Sequence, residues 1–325
     1  MIILYLLTFF ALTFLLIKSA DFVLLSIRSL SRTTGAKTFV LSALLLSTAT
    51  SLPELFVAIT SSLNGVSSLS LGNVLGANIT NLTLVVGLSG IIAGSVAIHG
   101  EIIKKEVMMA IVAGMIPILL SIDGNLDRID GLILLAVYVA YVTSFFKLRF
   151  IEIGTHFLTH KFILRMIKNF KHVDQLVDKS LGRLFVGIAA LLFSADMIVN
   201  LAKKVAETLN LPVFIVGLIL LSLGTTLPEL AVSFRSIRTG QPGIFFGNLM
   251  GSIIVNSTLV IGIAVLINPI TLVNVSTEVF SAVAFVLSFI LFWLFVRTKA
   301  HIEKWEAALL LAVYVIFVGA QFVRI

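Results

Sequence analysis

Two carboxylates stand where a carboxylate is costly. Glu54 lies in "TSLPEL" (50–55) and Glu229 in "TTLPEL" (225–230), each near the middle of an apolar run of membrane-spanning length. An ionised carboxylate at bilayer depth costs several kcal/mol or more unless it is protonated, hydrated or paired with a cation. The only basic residue well inside a span is Lys18, which can serve one glutamate at most and has Asp21 nearer in the chain. A purely structural ion pair therefore explains the glutamates poorly.

Their neighbours supply oxygen. Proline has no N–H, so Pro53 takes the helical partner from the Ala49 carbonyl and Pro228 takes it from Gly224. Thr50, Ser51, Thr225 and Thr226 add hydroxyls next to those kinks. Two further segments, "GNVLGANITN" (72–81) and "GNLMGSIIVN" (247–256), bring Asn73, Asn78, Asn81, Asn248, Ser252 and Asn256. Glycines 72, 76, 247 and 251 within them permit close helix approach or local unwinding. A donor set made of oxygens, with no buried His or Cys cluster, suits Na+, Ca2+ or Mg2+ and argues against Zn2+ or copper. Mg2+ fits less well because it dehydrates reluctantly. Two carboxylates are neutralised by one Ca2+, two Na+ or two H+, so these ions can compete for one place. A third Na+ leaves the loaded site positive and makes an exchange electrogenic.

The elements that must position these groups follow from composition. The chain has 325 residues, is 59% hydrophobic and 12% charged, and has a mean hydropathy of +1.14. Soluble domains carry about twice that charged fraction. Apolar runs of about 20 residues recur along the chain and do not alternate, which indicates a polytopic bundle of helices rather than a β-barrel. Cysteine is absent, which removes disulfides, thiolate metal sites and cysteine nucleophiles. The net charge of +7 sits in the short polar gaps, where topology explains it better than nucleic-acid binding does. The opening "MIILYLLTFFALTFLL" lacks a basic leader and reads as a first transmembrane helix, not a signal peptide.

Hydropathy divides the chain into ten expected spans, at 2–27, 38–63, 69–94, 105–121, 130–147, 182–206, 212–236, 243–268, 277–297 and 304–323. The basic gap at 148–181 separates five from five, giving units at 1–147 and 182–325. Placing the N-terminus outside puts eighteen Lys and Arg in cytoplasmic gaps against four outside. Both termini are then expected outside and the 148–181 linker inside. Within it, "KFILRMIKNFKHV" (161–173) reads either as a solvated linker or as an amphipathic helix on the anionic leaflet.

The two halves are copies. An offset of 175 residues pairs the LPEL segments, Gly72-Asn73 with Gly247-Asn248, Gly76 with Gly251, Asn81 with Asn256, and Asp21 with Asp196. Between 45–92 and 220–267 about 20 of 48 positions are identical with no gap. Five helices per unit is an odd number, so the second copy enters the membrane from the opposite side. Inverted repeats of this kind are typical of secondary transporters, whose ion site lies near the midplane where broken helices meet.

The segments "STATSLPEL…GNVLGANITN" and "SLGTTLPEL…GNLMGSIIVN" resemble the paired repeats of the Ca2+/cation antiporter superfamily, closest to the prokaryotic sodium/calcium exchangers. The resemblance covers the ten-helix layout. It implies an ion site between helices 2, 3, 7 and 8 and sliding of helices 1 and 6 across it. It implies Glu54 and Glu229 as the acids, with oxygens from Ser47, Thr50, Ser51, Ser222, Thr225 and Thr226, Ser47 and Ser222 mainly through their carbonyls. Positions 77, 81, 252 and 256 complete the set as Ala77, Asn81, Ser252 and Asn256. Ala77 stands where the family usually has Ser, and Asn256 where many members have Asp. Gly76 and Gly251 stand where the proton/calcium branch carries an acid, which favours Na+ over H+ as driving ion.

The resemblance thus implies Na+/Ca2+ antiport by alternating access in a prokaryotic cell membrane, with H+/Ca2+ exchange on the same glutamates as the alternative. It implies no enzyme activity, no cofactor and no nucleic-acid partner, only Ca2+, Na+ or H+ and the bilayer, and a protein that works as a monomer. A passive channel is disfavoured because the chain builds a closed site from its own halves. Intramembrane hydrolysis is disfavoured because no paired aspartates, Ser/His set or His cluster lies within the spans. Asp21 and Asp196 read as packing residues of helices 1 and 6, with a gating role open to them.

Overall fold

A computed structural model describes residues 2–34, 46–97, 101–152, 174–272, 275–299 and 301–324. The chain is mostly helical. Helix α1 is Ile2–Thr34; α2 is Leu52–Leu63, preceded by helical residues 46–50; α3 is Ser67–Ala93; α4 is Glu101–Leu120; α5 is Arg128–Glu152. In the second half α6 is Asp174–Leu209, α7 Val213–Arg238, α8 Pro242–Ile267, α9 Val275–Lys299 and α10 Lys304–Arg324. Among the described residues, seven stretches are long and apolar enough to cross a membrane, in α3, α4 and α6–α10. The expected residues 38–45 of the second span and the basic segment 161–173 lie outside the described residues. Within the expected linker at 148–181, α5 runs on to Glu152 and α6 begins at Asp174.

Apolar surface does not distinguish inside from outside in a bilayer, since lipid tails are as apolar as leucine; small and polar residues mark the interior instead. The helices obey this. The apolar stretches of α3 and α8 are each 78% buried, against 33% in α4 and α10, so the Gly- and Asn-bearing helices form the centre. Leu7, Phe10 and Phe14 of α1 and Phe185 and Phe193 of α6 face outward. Helix α1 packs along α6, and α6 packs on α2. The second half of α3 packs on α10, and the second half of α8 packs on α5.

Glycine sets the central contacts. A Cβ at Gly72 or Gly76 on α3 would strike the Phe214 and Leu218 carbonyls of α7, and one at Gly217 would strike Leu69 of α3. Backbone therefore meets backbone where α3 crosses α7.

Four short strands tie the two halves. β1 (Ser95–Ala97), after α3, pairs antiparallel with β4 (His301–Glu303), before α10, with Val96 opposite Ile302. β2 (Asn125–Leu126), before α5, pairs antiparallel with β3 (Ile270–Thr271), after α8, with Leu126 opposite Ile270. The 175-residue offset carries β1 onto β3 and β2 onto the start of β4, so each sheet joins one strand from either half.

Candidate functional site

The kinks lie where the prolines put them. Residues 46–50 are helical, Ser51 turns at φ −85° and ψ 5°, and α2 resumes with Pro53 in its first turn. On α7, Ser222–Thr225 is helical, Thr226 turns at φ −82° and ψ 0°, and the helix resumes at Leu227 with Pro228. Each turn places its glutamate in the first turn of the resumed helix. There the helix N-terminus favours negative charge.

All twelve candidate positions are buried: Ser47, Thr50, Ser51, Glu54, Ala77, Asn81, Ser222, Thr225, Thr226, Glu229, Ser252 and Asn256 are no more than 3% exposed. They draw together from α2, α3, α7 and α8. Thr50 Oγ1 lies 3.3 Å from Asn248 Oδ1 and 3.2 Å from Ser252 Oγ, both on α8. By the repeat, Thr225 Oγ1 donates to Asn73 Oδ1 on α3 at 3.2 Å. The hydroxyl beside each kink in one half thus meets the first Asn of the other half. Ser252 Oγ donates to Glu229 Oε1 at 3.3 Å. Asn256 Nδ2 donates to Asn78 Oδ1 at 3.4 Å, joining α8 to α3 directly.

Several buried polar atoms are left over. Among the described residues, neither Glu54 oxygen has a hydrogen-bond partner, nor do Glu229 Oε2, Ser51 Oγ, Asn256 Oδ1 or either amide atom of Asn81. Glu229 and Thr225 lie beside Glu54, with the Thr225 hydroxyl outside hydrogen-bonding geometry. Among the described residues no basic side chain reaches either glutamate; Lys18 instead faces Asp21 at 3.9 Å, both more than half exposed. Native interiors rarely leave buried acceptors unpaired, and such groups call for an ion, a water or a proton. Among the described residues no three acidic, imidazole or thiol groups cluster, so two carboxylates and neutral oxygens are the donor set. That composition fits a hard cation.

The Ser47 and Ser222 carbonyls, expected as ligands, are engaged in this conformation. Ser47 O accepts from Ser51 N–H at 3.1 Å and from Thr50 Oγ1 at 3.2 Å. Ser222 O accepts from Thr226 N–H at 3.1 Å and Thr226 Oγ1 at 2.7 Å. A cation reaching either oxygen must displace a bond from the next turn.

Composition does not reveal two features. Asn81 and Asn256 each open a π-helical turn, at Asn81–Val85 and Asn256–Val260. Such bulges add a residue to the turn, re-aim the side chains and recur at functional sites. Their trace in the sequence is the matched "NLTLV" and "NSTLV", whose Thr83 and Thr258 bond back to the fourth preceding carbonyl at 2.5 and 2.6 Å. The other is Ser257, which accepts from Asn78 Nδ2 at 2.9 Å and whose counterpart at the offset is Leu82.

A cavity of about 540 Å³ leads to the site between α1, α2 and α7. Exposed Lys18, Asp21 and Arg235 line it, with buried Thr50 and partly buried Pro228 on its wall.

The chain is similar along its length to proteins of known kind. The sodium/calcium exchanger MaX1 of Methanosarcina acetivorans is 26% identical over 94% of this chain and 95% of its own length. The putative antiporter CaxA of Alkalimonas amylolytica is 27% identical over 95% and 94%. Crystal structures of the sodium-calcium exchanger NCX_Mj, soaked with Na+ and Sr2+, match with a TM-score of 0.64 and 25% identity over 98% of both chains. The sodium/calcium exchanger protein family matches residues 4–147 and 179–323, so two carboxylate-bearing kinked helices at the centre of this bundle belong to a Ca2+/cation antiporter: the chain is a member of that family.

Proposed function

We propose that the chain exchanges Na+ for Ca2+ across the membrane, both ions competing for the cage around Glu54 and Glu229. The observation that carries this reading is the set of three carboxylate oxygens, Glu54 Oε1 and Oε2 and Glu229 Oε2, buried without a partner among the described residues. Thr50, Ser51, Thr225, Thr226, Ser252, Asn81 and Asn256 complete the oxygen set, with the Ser47 and Ser222 carbonyls released from their own helices on loading. Ala77 contributes no oxygen. One Ca2+ takes six to eight oxygens at about 2.3–2.6 Å, which such a set can supply.

The ten helical segments are read as ten spans in two inverted five-helix repeats, with both termini outside and residues 148–181 at the cytoplasmic face, acting as a monomer. Three observations support this. The family matches two stretches whose starts, residues 4 and 179, stand at the repeat offset. The packing of α3 on α10 mirrors that of α8 on α5. The two strand pairs exchange under the same offset.

The test is flux of radiolabelled Ca2+ into proteoliposomes under separately imposed Na+ and pH gradients. An outward Na+ gradient drives uptake, and Glu54→Gln or Glu229→Gln abolishes it. Near-normal flux in both variants removes the proposal. Uptake driven by a pH gradient in Na+-free buffer replaces Na+ with H+ as the counter-ion.

A further inference from the structure

The repeated aspartates Asp21 and Asp196 take no part in the cage, and they occupy unlike surroundings. Asp196 on α6 accepts from Asn64 Nδ2 at 3.0 Å and from Asn200 Nδ2 at 3.1 Å. Asn64 is the residue that ends α2, the helix carrying Glu54, and its carbonyl accepts from Lys203 Nζ at 3.2 Å. Helix α6 is thus fastened to the end of α2 by an amide-to-carboxylate bond and an ammonium-to-carbonyl bond. Asp21 on α1 makes no such bonds among the described residues. Its ion-pair partner is Lys18, one turn away on its own helix, and it lines the cavity that reaches Thr50.

The two aspartates also lie at different levels. Gly187 of α6 packs against Ser19 and Val23, the residues on either side of Asp21. Asp196 is nine residues further along α6, which is about 13 Å at 1.5 Å per residue. Along the helix that carries Glu54, the fastened Asn64 follows the glutamate by ten residues, whereas Leu46, Ala49 and Thr50, which line the cavity, precede it, so the fastened end and the cavity lie on opposite sides of Glu54.

The repeat supplies a counterpart for each member of the fastening. The offset carries Asp196 onto Asp21, Asn64 onto Thr239 and Lys203 onto Arg28. Thr239 Oγ1 is turned to its own helix, donating to the Arg235 carbonyl at 2.9 Å. The bond made on one side is thus unmade on the other, where the cavity stands. Between the two sides α1 crosses the α7 kink at Gly224, where a Cβ would lie 2.9 Å from Thr13 Cγ2.

We propose that Asp196, Asn64 and Lys203 are a latch that shuts one mouth of the exchanger, and that Asp21 with Thr239 is the latch of the other mouth, made when the first is broken. These are positioning residues: they touch no ion in the cage and set which side of it is accessible. The inference rests on alternating access as proposed above.

The test exploits the absence of cysteine from the chain. Ala231 is exposed and lines the cavity, so Ala231→Cys reports the open mouth by its rate of reaction with a membrane-impermeant maleimide, applied in turn to either face of oriented vesicles. Breaking the latch shifts population toward the conformation in which this mouth is closed. A tenfold loss in the latch equilibrium turns a population ratio of about 9:1 into about 1:1, which roughly halves the rate. Asp196→Ala and Asn64→Ala each slow labelling by that order, and the double variant is no slower than either alone. Asp196→Asn, which keeps an accepting oxygen, labels between them and the parent. Lys203→Met provides a second break that leaves the aspartate in place. Parent-like rates in Asp196→Ala and Lys203→Met, or independent slowing in the double variant, overturn the latch. Labelling needs no ion flux, so a failure of Na+-driven Ca2+ exchange refutes the proposed function and leaves this readout standing.

Discussion

Replacing Gly251 with alanine tests whether the close approach of α8 to the start of the α2 kink holds the cage in register. A Cβ at this position would lie 2.5 Å from Ser47 Oγ and 2.6 Å from Ser47 Cβ, where ordinary contact begins at 3.4 Å. The overlap is therefore close to 1 Å, and both partners are side chains anchored on rigid helix. Relief requires α8 and residues 46–50 to part by about that amount. The same parting stretches Thr50–Asn248 and Thr50–Ser252, now 3.3 and 3.2 Å, beyond hydrogen-bonding range. Overpacking costs about 1–3 kcal/mol, and the one hydrogen bond that the single Thr50 hydroxyl proton can make across to α8 about 0.5–1.5 kcal/mol, giving about 1.5–4.5 kcal/mol in total. At about 2 °C per kcal/mol for a chain of this size, the apparent Tm in detergent falls by about 3–9 °C. Exchange falls more steeply, since displacing a site by ~1 Å can cost about a hundredfold. Gly243→Ala, with nothing within 4 Å of its Cβ, is the neutral comparison. Ser47→Gly removes both offending atoms, so Gly251→Ala with Ser47→Gly recovers most of the lost Tm. A stable, active Gly251→Ala, or a double variant no better than the single, refutes the steric argument.

Two further substitutions probe the cage's amides and its missing hydroxyl. Asn256→Asp replaces the amide that donates to Asn78 Oδ1 with a carboxylate facing that oxygen, so the ion-free protein loses about 1–3 kcal/mol while Ca2+ restores it. The measurement is the Ca2+-induced rise in Tm, larger than in the parent; an unchanged rise sinks the prediction. Ala77→Ser places a hydroxyl at the repeat position of Ser252, where it can donate to Glu54 as Ser252 donates to Glu229. The ion-free Tm rises, and a fall with no change in ion response shows that position 77 does not face the carboxylate.

How much of this could be read from the sequence depends on what each feature leaves in it. The central helices were legible because small and polar residues such as Gly, Ser and Asn tell a membrane protein's interior from its lipid face. Glu54 and Glu229 were legible because a buried acid stands out from apolar neighbours and the offset of 175 residues repeats it. The π turns at Asn81 and Asn256 were not, since one added residue per turn shifts no hydropathy and conserves every residue type. Ser257 escaped because the comparison of the halves sets it against Leu82, and Asn78 against Ile253. Helix within 148–181 was not legible because charged residues can extend a helix into water as readily as they can form a loop, as α6 does from Asp174. The fastening of Asp196 to Asn64 was invisible because the repeat matches positions without saying which side chains meet between helices, and it sets Asn64 against Thr239.

The departures from symmetry bear on direction more than the symmetry does. Ser252 gives Glu229 one hydrogen bond, and Ala77 gives Glu54 none. Asn256 is tied to Asn78 through its amide, whereas both amide atoms of Asn81 are unpartnered. The less satisfied acid and the less satisfied amide both come from the first half. The cavity reaches the cage at Thr50 of the first half and at Leu227 and Pro228 of the second, and Thr50 bonds Ser252, the partner of Glu229. On the proposed reading, a cation arriving from that side meets the Glu229 side of the cage first and claims Oε1 by displacing Ser252, while both Glu54 oxygens have no hydrogen bond to surrender. Loading then proceeds from the carboxylate that must give up a partner to the one that has none. Chemistry that differs between the halves in this way gives a symmetric scaffold an order of events, which two identical halves could not supply.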